Sequence, residues 1–592
     1  MKLPKLMELQ TTRQWNDVFY GYNHNLRIAE GEFYDMKNMT GDNFPVLSPR
    51  RKRGNYIVET TSPRGLIEKD ALCYVDGSDF VINKKRVPLG LSEEYDEDGK
   101  IKPKRLVSMG KYVIIMPDKK YVNTDKMDSD YGDIEAHFKS SGTVSFKMSM
   151  MDGTIYETIS SPTAPADVDA LVATGKPFAW IDTSSKPHQF KIYSTASETW
   201  STVATTYVKI GCSGIGANFK VGDAVTISGI TLESAKDLNV SSVISSCDTD
   251  FIVVSGMISA IGEQSNPIEV VRAMPKMDYI CESGNRLWGC YYGIANNGEM
   301  VNEIYASKLG DFKNWNSFQG TAADSYAVTV GTDGVFTGAV THLGYPIFFK
   351  ENYMHKIYGN YPSNYQVQTT SCRGVQRGCA DSIAIVNEIM YYKARSGVVA
   401  YDGSLPMEIS SALGDEQYSR AVAGYLGNKY YISMCDSKGE YHLFVYDTKR
   451  ATWHREDSTQ AVAFCNRRGD LYYIDSDTNY IVSVNGDGVV DPNPVEWEVI
   501  SGLIGVDSPD KKYISCLDIR MKLDVGAVVS FFAEYDSSGE WEHLFNMTGN
   551  SVKSFAVPVR PKRCDHLRLK IIGVGDAKIF SICKTIEGGS NT

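Results

Sequence analysis

Five short aromatic-rich stretches recur along this chain at nearly even steps, and this repeat constrains the fold more than any other feature. They begin at Asn285, Tyr345, Glu388, Asn428 and Asp470, at steps of 60, 43, 40 and 42 residues. Each stretch has the pattern of a strand, a turn and a second strand. A period near 40 residues with all-β content is typical of a β-propeller, in which each blade buries its faces only against neighbouring blades. The sequence therefore predicts an all-β fold built around a propeller.

Two earlier segments carry the same strand, turn and strand pattern. They begin at Ala71 and Gly110. Together with the five later repeats they predict about seven blades, and six is the alternative count. Trp315 and Trp453 each follow an Asp-led turn. We expect these indoles to lie between adjacent blades, where each can bury a large apolar area.

The rhythm of the repeat breaks between residues 126 and 275. This stretch alternates apolar and polar residues between Gly-Asp turns, which favours strands rather than helices. The sequence predicts five parts: an N-terminal arm with a propeller-closing strand (1–60), the first blades (61–125), an inserted β domain (126–275) with a small barrel at 203–272, the remaining blades (276–488) and a C-terminal β-sandwich (492–592).

Charge and cysteine content limit the class of protein. The 592 residues carry a formal net charge of −11, which argues against a surface that grips nucleic acid through its phosphates. The twelve cysteines have no framework spacing and indicate free thiols in a protein made in a reducing cytoplasm. The chain has no run of about 18 apolar residues, so we expect no membrane span.

Motifs for catalysis or metal binding are incomplete. Residues 475–479 begin like a calcium loop, but Tyr480 stands where glycine is expected and Gly486 where glutamate is expected. Residues 197–200 keep only fragments of the sialidase turn, and no Gly-x-Ser-x-Gly elbow occurs. The sequence therefore predicts no catalytic, cofactor-binding or metal-binding residues, no cofactor and no enzyme activity.

Two basic runs occur in this acidic chain, at residues 50–53 and 560–563. Prolines at 45 and 49 argue against a central strand in the first region and favour an edge strand. Either basic run offers contacts to DNA or to an acidic partner surface, and a solvated edge strand is the other interpretation.

Several segments together carry a family resemblance, which covers most of the chain outside the insertion. They are residues 19–25, 31–40, 43–53, 285–289, 304–311, 348–359, 378–383, 396–403 and 578–582. In these segments the chain resembles β-propeller tail and neck structural proteins of tailed bacteriophages, such as tail nozzle proteins and packaged-DNA stabilisation proteins. These motifs are structural, and the resemblance implies no catalytic residues.

The resemblance implies a virion structural protein, made in the bacterial host cytoplasm and located in the tail or neck. It implies copies in a ring, expected to be a hexamer, beside portal, adaptor or other tail proteins. Such a ring continues the DNA exit channel and retains or gates double-stranded DNA without sequence specificity. Two alternatives stay open. A host-surface glycan-binding adhesin would use exposed aromatic residues such as Trp497 or Trp541, and a propeller glycosidase would use a carboxylate pair.

Overall fold

The computed structural model describes residues 11–54, 56–95, 102–295, 297–485, 493–507, 510–549 and 552–588. Nearly every regular element in these ranges is a β-strand, and their only α-helix is α1 (Val168–Ala173). The predicted all-β class is confirmed, with a propeller, an inserted β region and a C-terminal β-sandwich. The predicted boundary at 488–492 lies outside the described residues.

The N-terminal segment contributes six short strands, four of which have partners that lie far along the chain. These strands are β1 (Thr11–Asn16), β2 (Gly21–Tyr22), β3 (Glu32–Lys37), β4 (Met39–Thr40), β5 (Ser48–Pro49) and β6 (Tyr56–Glu59). Thr11, for example, pairs with Glu587. The segment therefore joins elements that are several hundred residues apart in sequence.

Blades 1 and 2 follow directly, each as four antiparallel strands. Blade 1 is β7 (Pro63–Lys69), β8 (Ala71–Asp76), β9 (Asp79–Ile82) and β10 (Lys85–Pro88), and blade 2 is β11 (Arg105–Met109), β12 (Tyr112–Met116), β13 (Lys120–Asn123) and β14 (Tyr131–Asp133). Strand β8 is buried along its whole length and β12 along most of it, as the near-continuous apolar runs in these strands predict.

The insertion between blades 2 and 3 forms two sheets. Its strands are β15 (Ala136–Lys139), β16 (Val144–Ser149), β17 (Glu157–Ser161), β18 (Phe178–Asp182), β19 (Gln189–Ser194), β20 (Thr199–Thr202), β21 (Tyr207–Gly211), β22 (Ala224–Ser228), β23 (Ser241–Asp248), β24 (Phe251–Ser255), β25 (Gly262–Gln264) and β26 (Glu269–Arg272). Strands β17 to β20 form a sheet of four. The other eight form one sheet, in the order β15-β26-β22-β23-β24-β21-β16-β25.

The larger sheet of the insertion extends beyond the barrel expected at 203–272. It also takes in β15 and β16, because β15 pairs with β26 and β16 pairs with β21 and β25. Sequence periodicity marks these strands but does not reveal partners that lie 58 to 136 residues away.

Blades 3 to 7 resume the repeat after the insertion. Their strands are β27 (Tyr279–Ser283), β28 (Arg286–Ile294), β29 (Met300–Ala306), β30 (Tyr326–Thr329), β31 (Gly338–His342), β32 (Tyr345–Lys350), β33 (Tyr353–Tyr358), β34 (Gln366–Ser371), β35 (Ala384–Val386), β36 (Ile389–Ala394), β37 (Gly397–Tyr401), β38 (Met407–Glu408), β39 (Ser419–Leu426), β40 (Lys429–Cys435), β41 (Tyr441–Asp447), β42 (Thr452–Arg455), β43 (Ala461–Arg467), β44 (Asp470–Asp475) and β45 (Tyr480–Ser483). Blades 3 to 6 take four strands each in chain order, and β43 to β45 begin blade 7.

Blade 7 is completed by the N-terminal segment. Strand β6 pairs antiparallel with β45 and supplies the fourth strand. The sequence placed an edge strand between residues 43 and 54. In that region β5 pairs only with β4, and Pro49 has no N–H to donate to a longer ladder.

The tight turns of the inner hairpins explain the residue pattern of the repeated motif. In blade 3 the turn residues Gly284 and Asn285 have φ of 61° and 59°, and in blade 7 Arg468 and Gly469 have φ of 51° and 78°. Two consecutive residues with positive φ form the turn type that matches the twist of a two-residue hairpin. The Asn-Arg-Leu-Trp-Gly type of motif is therefore the end of such a turn followed by a buried second strand.

The predicted tryptophans are buried where blades meet. Trp315 packs in a cluster with Ile114 of blade 2 and Leu287 of blade 3. The Trp453 indole of blade 6 donates to the carbonyl oxygen of Ile409, which follows blade 5, at 2.8 Å. Each ring therefore fills the space between neighbouring sheets.

The insertion is fixed to the loop that follows β29 of blade 3. The backbone N–H of Ala224 donates to Oδ1 of Asn314 at 2.7 Å, inside a buried contact. Arg272 forms a buried ion pair with Asp223 and also donates to the carbonyl of Ile134 at 3.1 and 3.2 Å. The insertion is thus tied to blade 3 through Ala224, and Arg272 near its end is tied to Ile134 near its start.

The C-terminal part is a sandwich of two antiparallel sheets. Its strands are β46 (Glu496–Ser501), β47 (Lys512–Leu523), β48 (Val528–Tyr535), β49 (Glu542–Thr548), β50 (Val552–Val557), β51 (Leu567–Val574) and β52 (Ala577–Gly588). One sheet has the order β1-β52-β47-β50. In the other, β3, β46, β51, β48 and β49 lie side by side.

The second sheet of the sandwich continues without interruption into blade 6. The order is β39-β40-β41-β42-β2-β3-β46-β51-β48-β49, a single sheet of ten strands. Strand β2 joins the two halves, since Tyr22 pairs with Trp453 and β2 runs parallel to β3. We call residues 19–54 the strap, because they connect the propeller to the sandwich.

The strap lies on blade 6 with no room for larger side chains. A Cβ atom on Gly21 would stand 2.2 Å from the carbonyl oxygen of Trp453, and one on Gly41 would stand 2.8 Å from the His454 ring. His454 is 4% exposed, and its burial lowers the pKa of the imidazole to about 3. The strap therefore covers a neutral histidine at the edge of the blade.

Trp497 lies in the core of the sandwich, which corrects the expectation that it is an exposed glycan-binding residue. It is 1% exposed, and its indole donates to the Gly575 carbonyl at 3.0 Å. The ring lies flat over Gly573, where a Cβ atom would stand 2.0 Å from it. Trp541 is half-buried, with the ammonium of Lys570 4.2 Å from its ring centroid.

We predict that Gly573→Ala lowers the stability of the sandwich, because the new methyl group overlaps the Trp497 ring. Overpacking of this kind costs about 1–3 kcal/mol. Gly549→Ala is the matched control, since the nearest atom to its added Cβ is 3.8 Å away. Thermal unfolding checks the prediction, and equal melting temperatures for the two variants would contradict it.

Candidate functional site

The seven inner strands of the propeller enclose a central bore. These strands are β7, β11, β27, β31, β35, β39 and β43, the first strand of each blade. Neighbouring inner strands contact each other around the ring, including β43 with β7, and β31 meets the 3-10 turn Ala380–Ser382 that leads into β35. Because all are first strands, they begin at one face of the propeller and end at the other.

The face where the inner strands begin carries a cluster of polar side chains, which we call the axial mouth. It consists of Arg105, Asp278, Tyr279, Asp381 and Arg420. The Arg105 guanidinium lies 4.4 Å from the Tyr279 ring centroid, and its Nη1 is 3.3 Å from Oδ1 of Asp381. Arginine over an aromatic face and beside a carboxylate is held in one position by both contacts.

The contact between Arg105 and Asp381 crosses the bore. Arg105 belongs to blade 2 and Asp381 to the turn before blade 5, on the opposite side of a ring of seven. Two side chains in contact therefore span the opening. A DNA duplex, whose major groove alone is about 12 Å wide, does not fit through such a passage.

Asp278 of the axial mouth is exposed by its surface area, although neighbouring atoms crowd its carboxyl group. Burial raises the pKa of its carboxyl, and this rise is reduced by a hydrogen bond from the Tyr292 N–H, at 3.2 Å, and by the charge of Arg105. Burial also raises the pKa of Tyr279. A carboxyl group that retains its proton more readily is suited to act as a proton donor.

The opposite end of the bore has a different composition. Glu68 near the end of β7 lies 3.2 Å from Nε of Arg467 at the end of β43. Beneath them are the thiols of Cys73 and Cys465, whose pKa values burial raises to about 12, with a further contribution from Glu68. These cysteines are neutral thiols, and all twelve cysteines of the chain are free, as expected from their spacing.

Arg50 and Arg53 of the first basic run are structural, which corrects, for these two residues, the expectations of a surface contact or a solvated edge strand. Arg53 is 3% exposed and donates to Glu456 at 2.8 Å and to Asp457 at 2.7 Å. Arg50 is 8% exposed and lies 3.3 Å from Asp457. Burial opposes ionisation of Asp457, but Arg53 and Arg50 outweigh it and hold the pKa of that carboxyl well below its usual value. In this run, Arg51 remains exposed.

The second basic run stays at the surface of the sandwich. Arg560, Lys562 and Arg563 are exposed, and Lys562 pairs with Glu542 of β49. An exposed pair of this kind adds little to stability.

One group of side chains has the residue types of a cation site. Asp436, Glu440 and His442, at the hairpin between β40 and β41, place their ligand atoms within 4.8 Å of one another. Oδ2 of Asp436 is 3.0 Å from Nε2 of His442, and Glu440 is exposed. Carboxylates with one imidazole are ligands of divalent cations. At residues 475–479, where the sequence begins like a calcium loop, Asp475 accepts a hydrogen bond from the Thr478 hydroxyl at 2.6 Å in a hairpin turn.

Comparison with known proteins gives only distant structural likenesses. No protein-family model and no curated protein sequence matches this chain. An exo-β-1,3-galactanase from Phanerochaete chrysosporium matches with 10% identity and a TM-score of 0.21, over 52% of this chain and 94% of that chain. A Trypanosoma rangeli sialidase matches with 9% identity and a TM-score of 0.18, over 84% and 93%.

A further match is the extracellular domain of a putative hybrid two-component system from B. thetaiotaomicron, with 8% identity and a TM-score of 0.18, over 93% and 99%. Glycoside hydrolases and sialidases are prominent among the matched structures, and they contradict the prediction that the chain is not an enzyme. That prediction is withdrawn. Likenesses at these TM-scores do not themselves assign an activity. Among the described residues, no helix is both long and apolar enough to cross a membrane.

We predict that Arg53→Gln destabilises the protein by about 3–5 kcal/mol, because it leaves the buried carboxylates of Glu456 and Asp457 without their main partner. Arg51→Gln, two residues earlier and exposed, should change stability by less than about 0.5 kcal/mol. Urea unfolding at pH 7 measures both. Equal losses of unfolding free energy in the two variants would contradict the prediction, because the buried ion pairs of Arg53 would then contribute no more than the exposed side chain of Arg51.

Proposed function

We propose that this chain is a structural component of a tailed-bacteriophage particle. In this role, copies of the chain stand in a ring of the tail or neck, beside portal, adaptor or other tail proteins. The ring continues the DNA exit channel and retains the packaged DNA. The proposal rests on the sequence resemblance and on the physical role of the residues that carry its N-terminal part.

The single observation that supports this role best is the strap. The resembling segments 19–25, 31–40 and 43–53 lie within it. They supply β2, which extends blade 6, and β3, which pairs with β46 of the sandwich. They also supply Arg50 and Arg53 for the buried ion pairs. A motif that joins two domains into one stiff body suits a building block of a particle.

The closed bore determines where DNA would pass in such a ring. Since Arg105 and Asp381 cross the propeller axis, the DNA path would lie between copies of the chain and not through a propeller. A heterologous interface whose rotation closes gives a ring with a lumen of its own. The net charge of −11 suits a wall that DNA passes without fixed phosphate contacts.

We predict that electron microscopy of the purified chain shows rings, with sixfold symmetry expected, around a lumen wide enough for duplex DNA. An antibody against the chain should label the tail or neck of particles from the phage that encodes it. A monomer at every protein and salt concentration, together with particles that bind no antibody, would contradict the proposal. An antibody raised against a host cytoplasmic protein is the labelling control.

A second candidate function is glycoside hydrolysis at the axial mouth. The observation that favours it is the raised pKa of Asp278 in a cluster that also holds Asp381. Glycosidases use one carboxylic acid to protonate the leaving oxygen and a second carboxylate as base or nucleophile. Asp278 would supply the proton, and Asp381, which is paired with Arg105, would be the second carboxylate.

This second candidate predicts turnover of a chromogenic glycoside by the wild-type chain, with loss of at least about 100-fold in Asp278→Asn. Glu299→Gln, an exposed change in the turn between β28 and β29 of the same blade, should keep full activity. Rates should fall as the pH rises through the pKa of Asp278, because the acid form is consumed. The candidate fails if a broad panel of glycosides and sialosides gives no turnover.

A further inference from the structure

A charged cleft lies on the propeller face where the inner strands end, opposite the axial mouth. The β39–β40 and β41–β42 turns of blade 6, the strap and the end of blade 7 at Asn485 form its walls. Its volume is about 410 Å³, within the range of small-molecule sites. Since the walls come from three parts of the chain, the cleft exists only in the closed and strapped fold.

Two of the basic groups in this cleft are fixed in place. Lys429 pairs with Asp42 of the strap and donates to the Thr40 hydroxyl at 3.2 Å. Arg450 pairs with Asp447, and its guanidinium lies 4.8 Å from the ring centroid of Phe44. Ammonium and guanidinium groups have three and five N–H donors respectively, so both retain donors for a ligand.

Two further basic groups of the cleft, Arg51 and Lys449, are exposed and form no ion pair among the described residues. Burial opposes ionisation of Asp42, but Lys429 and, more weakly, the charge of Arg51 lower the pKa of its carboxyl. The carboxylates of the cleft, Asp42 and Asp447, are already engaged by Lys429 and Arg450. The cleft therefore has two positive charges in excess.

The neutral donors of the cleft also suit an anion. Oδ1 of Asn428 accepts a hydrogen bond from Nδ2 of Asn387, at 2.8 Å, which leaves the amide N–H groups of Asn428 as donors. The basic groups come from the strap and from a turn on the other side of the cleft, so they approach a ligand from several directions. A tetrahedral phosphate matches this arrangement better than a planar carboxylate, and arginine forks suit its oxygens. A phosphate monoester brings two negative charges on one group, and two successive phosphodiesters of DNA bring one each.

We propose that this cleft binds a phosphate group. The group belongs either to a small phosphate-bearing molecule or to the phosphodiester backbone of DNA. The inference does not depend on the virion role, because it rests on the excess charge, the volume and the walls of the cleft. It also gives Arg51, the exposed member of the first basic run, a function that its neighbours Arg50 and Arg53 do not share.

The test compares two double variants of the full chain. Arg51→Gln with Lys449→Gln removes the two uncompensated charges. Arg395→Gln with Lys438→Gln makes the same change in exposed turns at the other face of the propeller. Thermal unfolding should show that both variants are folded, since all four side chains are exposed.

Binding is measured by calorimetry with inorganic phosphate and by fluorescence anisotropy with a short labelled DNA duplex, at low and moderate salt. We expect the wild type and the control to bind alike, and the cleft variant to bind at least tenfold more weakly. If the duplex is the ligand, the salt dependence of its binding should also fall by about two units in slope.

The two ligands separate the sources of phosphate. Binding of inorganic phosphate without binding of the duplex supports a small phosphate-bearing molecule, and binding of the duplex supports the DNA backbone. The proposal is overturned if the wild type binds neither ligand, or if the two variants lose binding equally.

Discussion

The structure depends on one short strand placed between two domains. Strand β2 is two residues long, yet it pairs with β42 on one side and β3 on the other, and so extends blade 6 into the sandwich. Exposed strand edges are sites of unwanted pairing, and here the outer edge of blade 6 is covered by the chain itself. The same segment continues to β6 and closes blade 7. Closure of the ring and attachment of the sandwich therefore share one piece of chain.

The polar contacts under the strap explain why its position is so strictly fixed. The guanidinium groups of Arg50 and Arg53 are buried together with the carboxylates of Glu456 and Asp457. Burial of these charges is tolerated only while every partner is present. His454 must remain neutral below Gly21 and Gly41. If the strap were displaced, each of these groups would become exposed or would lose its partner. The ion pairs therefore select one pairing register of the strap strands among those that such short strands would allow.

The candidate sites arise from the same closure. The axial mouth brings together residues from blades 2, 3, 5 and 6, and the charged cleft joins blade 6 to the strap and blade 7. Each side chain of these sites is positioned by its own strand or turn. The order of the blades around the axis then determines which other side chains lie next to it.

The repeated strands could be predicted from the sequence, whereas the contacts between segments far apart in the chain could not. The aromatic strands after Gly284 and Gly469 were recognisable because each local turn imposes the same pattern. Trp497 was misjudged because an aromatic residue in an alternating strand looks the same whether its face meets solvent or Gly573. The run at residues 50–53 was read as exposed for a similar reason, since its acidic partners are about 400 residues away. No sequence motif marks Asp278, and it lies near Arg105 only because the blades close into a ring.

The central claim is that the strap makes propeller and sandwich one mechanical unit. Hydrogen exchange followed by mass spectrometry tests it directly, by comparing the free energy of opening in β42 of blade 6 with that in β46 of the sandwich. The account predicts that amides in the two strands open together, with one common free energy and one common response to denaturant. Opening of β46 at low denaturant while β42 stays protected would contradict it.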